Sequence, residues 1–165
     1  MYRRLDDFSK AWDGETDATL KVFRQLTDAS LGQQVTADGR SLGFIAWHIT
    51  ASIAEMLNRT GLSVEGPVHE EPPATAAAIV EAYGKAARSA AEQVRSRWTD
   101  ATLDETREMY GEQWTVGFTL AALVGHQTHH RGQMTVLMRQ AGLPVPGVYG
   151  PSREEWSAMG MPAMA

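Results

Sequence analysis

The run GHQTHHRGQM places His126, His129 and His130 within five residues of one another, and His48 stands far upstream in AWHITASIAE. Imidazole is the commonest side-chain ligand of metal ions and titrates nearest to neutral pH. Spacing decides which of these rings can act together. On a helix, His126 and His130 project roughly 40° apart, one turn above the other, as two ligands of one ion must. His129 and His130 point about 100° apart and do not readily share an ion.

The apolar residues nearby choose between the pairs. Val116, Leu123, Met134, Leu137 and Ala141 fall within roughly 60° of the His130 direction on a helical wheel, and His126 lies in the same stripe. His129 falls about 60° to the other side of His126, at the stripe's margin. His126 and His130 are therefore expected to face inward, with His129 beside the site or at an interface. The same spacing also suits a plain hydrogen-bonded histidine pair.

His48 flanks the apolar stripe of another helix, from which it can reach the same interior; periodicity serves a core histidine bonded to a carbonyl equally well. Ser52 and Glu55 follow it along nearly the same ridge. That ridge can line a polar pocket or, for Glu55, form a solvated helix edge. Gln133 projects near His126 and joins Glu55 and His129 as a candidate for contacts around an ion or with a substrate. His69, in VHEEPP, belongs to a loop and is expected to face solvent.

Three neutral imidazoles leave coordination positions open to water or substrate, the pattern of catalytic sites. The chain has no cysteine, so disulfides, thiolate clusters and cysteine nucleophiles are excluded and only nitrogen and oxygen can hold an ion. Zinc, nickel, iron and manganese all tolerate such a set. An ion held there can turn water into a nucleophile near neutral pH, or activate a thiolate. The H-E-x-x-H peptidase helix is missing, because Gln127 stands where its glutamate would be.

These residues need elements to carry them. The 165 residues suit one domain over 1–165 with a core of its own. Between Asp6 and Ser30, Phe8, Trp12, Leu20, Phe23 and Leu26 recur at mostly helical steps, with Gly14 able to soften or split the helix. Ser41 is a fitting N-cap for a second helix ending near Asn58 to Gly61. A loop follows to Pro73, which can open a third helix through the alanine-rich stretch to Trp98. TDATLDETREMYGEQW reads as loop, with a short extended piece around Arg107 to Tyr110. A fourth helix is expected from about Thr115 to Ala141, stopped by Gly142 and Pro144. The tail has room for one short helix, Ser152 to Ala158. Four long helices without convincing strands imply an all-α four-helix bundle.

A net charge of −5 gives no electrostatic reason to bind a phosphate backbone, so nucleic acid is not an expected partner. No stretch reaches the roughly 18 apolar residues of a membrane span, and the N-terminus lacks the apolar core of a signal peptide. A cytoplasmic location agrees with the absence of cysteine.

LGFIAWHITASIAE, GHQTHHRGQM and VYGPSREEW, in that order, resemble the DinB/YfiT-like superfamily of metal-dependent bacterial proteins, across nearly the whole chain; HHRGQ preceded by a histidine is the most specific of the three. The resemblance implies a four-helix bundle of unusual connection order, often a homodimer, and a divalent metal, zinc or nickel foremost, on His48, His126 and His130. It implies a transferase or isomerase using a low-molecular-weight thiol, or a hydrolase, acting on a small molecule. A non-catalytic metal-binding protein of a stress response is the alternative, with His129 or Glu55 filling the open position. A bundle whose histidines only satisfy one another is the third. Gly132 is expected to let a neighbouring helix approach closely.

Overall fold

The computed structural model describes residues 1–67 and 71–163; His69 lies outside the described residues. Helix α1 spans Leu5–Phe23, with Asp6 and Asp7 in its first turn and Lys21 in its last, each complementing the helix dipole. The backbone N–H of Leu5 donates to the Asp100 carboxylate at 2.8 Å. Gly14 does not split the helix. It stops well short of Ser30, because Thr27 and Ser30 cap one another around a separate 3-10 turn, Asp28–Ser30, and these local bonds outcompete another helical turn.

Helix α2 spans Leu42–Arg59, and the Ser41 hydroxyl accepts from the Phe44 N–H at 3.1 Å. Helix α3 spans Ala76–Arg97 and starts later than Pro73 suggests. Thr75 is extended and its hydroxyl caps the Ala78 N–H, so the prolines precede the helix and do not open it. After a 3-10 turn, Asp100–Asp104, the expected loop is a β-hairpin. Strand β1, Thr106–Met109, pairs antiparallel with β2, Glu112–Thr115, with Met109 opposite Glu112. Tyr110 and Gly111 form its two-residue turn with φ of 57° and 85°, the doubly left-handed geometry that matches strand twist.

Helix α4 spans Val116–Gln140, capped by the Thr115 hydroxyl, with Gly142 in the left-handed region just beyond it. Gly117 is a position where only glycine fits: a Cβ there would lie 2.6 Å from the Tyr2 carbonyl oxygen. At Gly132, in contrast, a Cβ would meet nothing within 4 Å. That residue is exposed, so among the described residues no helix makes the expected close approach. In the tail the expected helix from Ser152 to Ala158 shrinks to a 3-10 turn, Ser157–Met159. The Glu155 carboxylate instead accepts from the Gly147 and Ser152 N–H groups and folds the segment back on itself.

The four helices form a bundle in which α1 packs on α3 and α4, and α2 packs on the same two. Going round the bundle the order is α1, α3, α2, α4. Phe8, Trp12 and Phe23 of α1, Ile49 and Ile53 of α2, Tyr83 of α3 and Leu120 and Leu123 of α4 fill the core. The Trp12 indole donates to the Ala87 carbonyl at 3.0 Å and ties α1 to α3. This order makes α2 and α4 neighbours, and so brings segments some 78 residues apart to a common seam. Among the described residues, no helix is long and apolar enough to cross a membrane.

Candidate metal centre

At the α2–α4 seam His48, His126 and His130 converge, each offering a ring nitrogen within 4.8 Å of the others. Their ring centroids stand 4.4 to 4.8 Å apart, edge to face. The Nε2 atoms of His48 and His126 are 3.0 Å apart. Of the three rings, His130 is buried while the other two are partly open.

The Nδ1 of His130 lies 2.7 Å from the Gln133 side-chain oxygen. An amide oxygen can only accept, so Nδ1 carries the proton and the Nε2 lone pair is left for an ion. Gln133 therefore meets His130, and not His126 as its projection suggests. Its amide nitrogen lies 3.2 Å from Nε2 of His129, which is exposed and turned off the cluster. The wheel separates these neighbours because one residue step rotates a side chain by about 100°.

Burial, with the like charges that His130 and His48 would carry, holds His126 down at about 4. Burial lowers His130 as well, against the opposing effect of its Gln133 bond. Neutral imidazole is the form that binds a metal, and the Nε2 atoms of His48 and His126 face one another at the centre of the cluster. The donor set thus suits a divalent ion. The shift at His126 also carries a stability consequence. Between about 6.5 and 4 the unfolded chain takes up a proton that the folded chain refuses, so the contribution is complete above about 6.5 and is lost as pH falls through that window. Urea midpoints of chelator-treated protein are expected to fall on acidification from about pH 7 to 4. His126→Asn should flatten that slope, and an equal slope in both proteins would refute the assignment.

Beside the cluster lies a cavity of about 480 Å³. His48 and His126 form one wall, Ser52, Glu55 and Met56 continue it along α2, Ala122 adds from α4, and Tyr110 and Trp114 reach in from the hairpin. The ridge of His48, Ser52 and Glu55 does line a pocket. Glu55 is held from two sides: Arg59 donates to one oxygen and the Tyr110 hydroxyl to the other, both at 2.6 Å. Burial and the bond to Glu55 push the Tyr110 hydroxyl well above its ordinary range, so it remains a donor at neutral pH. Trp114 packs edge-on between Tyr110 and Phe118.

Tyr110 and Trp114 are the lining residues that pattern reasoning misses. Only Met109 is buried among the eight strand residues, so the alternation that marks a half-buried strand is absent. The available signal was the Tyr110–Gly111 pair, a turn flanked by short extended stretches.

The α4 face away from the cavity carries Arg131, whose side chain is 3% exposed. It donates to the Glu15 carboxylate at 2.7 Å, to the Thr19 hydroxyl at 3.0 Å and to the Tyr149 hydroxyl at 2.7 Å. Tyr149 in turn donates to the other Glu15 oxygen at 2.7 Å. Residues of the GHQTHHRGQM and VYGPSREEW segments thus meet across α1.

The DinB family model matches residues 1–163. Uncharacterized protein YrdA of Bacillus subtilis (strain 168) is 45% identical over 164 residues, covering 99% of this chain and 98% of that protein. The crystal structure of a DinB-like protein from Bacillus cereus ATCC 10987 superimposes with a TM-score of 0.88 at 42% identity, over 90% of this chain and 100% of that one. DinB-like YjoA from Bacillus subtilis shares the fold alone, with a TM-score of 0.69 at 14% identity over 88% and 99% of the two chains.

Proposed function

The chain belongs to the DinB family, and from that premise we propose that it is an enzyme using a divalent metal held by Nε2 of His48, His126 and His130. The observation that carries this is the convergence of three imidazoles, two of which, His48 and His126, wall a cavity large enough for a small molecule. A zinc or nickel ion, with iron and manganese as further choices, would supply Lewis acidity and lower the pKa of a coordinated water or low-molecular-weight thiol. The protein's part is to hold and orient. Gln133 fixes the His130 tautomer, and Arg59 with Tyr110 fixes the Glu55 carboxylate. Glu55 is then a fixed negative charge on the cavity wall that orients a donor group of an incoming molecule. Tyr110 and Trp114 offer aromatic surface to the substrate.

A non-catalytic binder would need a protein side chain in the open position. Glu55 is engaged by Arg59 and Tyr110, and His129 is exposed beside Gln133, which favours the enzyme. Metal-loaded protein is expected to accelerate either the conjugation of cysteine to 1-chloro-2,4-dinitrobenzene or the hydrolysis of p-nitrophenyl acetate, with the rate abolished in His48→Ala. Stoichiometric metal without turnover of either reagent would move the assignment to a binder. Gln133→Ala should weaken zinc binding by about 10- to 100-fold, the range for partners of ligating histidines, as read by competition with a chromophoric chelator. Unchanged affinity would remove Gln133 from the site. Assembly as a homodimer belongs to the same proposal, and sedimentation equilibrium decides it.

A further inference from the structure

A second cavity, of about 370 Å³, opens between the 35–40 loop and α4. Val35, Ile45, Val136 and Leu137 give it apolar walls, and its polar groups are Arg40 and Gln133. Among the described residues no acidic side chain lines it. Val35 and Val136 are 63% and 54% exposed, an apolar rim with nothing packed upon it among the described residues.

Arg40 forms no ion pair among the described residues, yet it is not left to wander. Its guanidinium lies over the Phe44 ring, 5.4 Å from the centroid, and that ring stacks on His48 with an interplanar angle of 12°. This ladder of cation, phenyl and imidazole links the cavity mouth to the histidine cluster. Gln133 is the second link: its oxygen is spent on His130 and one amide N–H faces His129, which leaves the other amide N–H as a donor.

We propose that this second cavity binds a small carboxylate with an apolar body, the carboxylate on Arg40 and Gln133 and the body between Ile45, Val136 and Leu137. A guanidinium presents a fork of donors that matches a carboxylate's two oxygens. Charge favours the same occupant, because a divalent ion on the histidines would add to the charge of Arg40, and an anion offsets both. The two cavities then serve two molecules, one at the His48–His126 wall and one reaching His130 through Gln133. Transfer between two reactants needs this kind of simultaneous positioning. The role in transfer rests on the proposed function; the binding itself does not require the metal.

The test is a titration of chelator-treated protein with benzoate and with its neutral isostere benzamide, followed by amide NMR shifts. Benzoate is expected to give saturable shifts at Gly39, Val136 and Leu137, with benzamide about 10-fold weaker or worse. Arg40→Ala should weaken benzoate by about 10-fold and leave benzamide unchanged, while retaining zinc. Shifts centred on His48 and His126 instead, no saturation, or equal benzoate affinity in wild type and Arg40→Ala would each overturn the proposal. Zinc binding measured on the same samples keeps the two ideas apart. Benzoate bound at these amides by a chain that does not bind zinc would sustain the pocket and sink the metal.

Discussion

Loaded with zinc and desalted, the wild-type chain is expected to retain roughly one ion per molecule, and His130→Ala close to none. The loss should exceed about 100-fold in affinity, beyond the 10- to 100-fold range of an outer partner, because a ligand is removed outright. The control is His129→Ala. Its ring neighbours His130 but is exposed and faces Gln133, so it should keep the ion. Elemental analysis reads both proteins, and circular dichroism checks that each is folded. Equal metal content in wild type and His130→Ala would eliminate the site, whereas loss in His129→Ala would mean that the neighbouring pair had been chosen wrongly.

Arg131→Ala is expected to cost about 3–5 kcal/mol of stability, the range for breaking a buried ion pair from one side. The cost arises chiefly from what is left behind. The Glu15 side chain is 13% exposed and would lose its cationic partner, keeping only hydroxyl donors. At a urea slope of roughly 2 kcal/mol per molar, the denaturation midpoint should drop by about 2 M. Replacing both partners together, Arg131→Met with Glu15→Gln, should recover much of this, since no charge is then stranded. Tyr149→Phe removes one hydroxyl from the network and should cost only about 1 kcal/mol. A midpoint within about 0.3 M of wild type for Arg131→Ala would show the pair to be solvated in solution.

Most of the helical frame was legible because its signals are local. Ser41 caps where expected, α4 starts one residue after the expected Thr115, Gly142 ends it, and the periodicity of α4 was enough to sort His126 and His130 from His129. What escaped depends on partners remote in sequence or on weak local competition. The extended piece around Arg107 was legible and is β1, but strands of four residues, with one buried side chain between them, carry too little pattern to reveal the pairing with β2. The Pro73 start failed because Thr75, two residues on, offers a better cap. Gly132 suggested close packing, yet its surroundings in space, not its type, decide what a glycine is for. Glu55 could be read as pocket or solvated edge until the hairpin supplied Tyr110, and no helical wheel contains a hairpin.

The order of the helices round the bundle also governs how the chain can assemble as it is made. Of the three pairs of consecutive long helices, α2 and α3 pack as neighbours, while α1 must wait for α3 and α4. At about 5–20 residues per second, α1 leaves the ribosome on the order of ten seconds before α4 is complete. Through that interval the surface of Phe8, Trp12, Val22 and Phe23 has no full partner. The helix that closes the histidine cluster is the same one that finally shields α1, so a nascent chain stays sticky until its would-be site is finished.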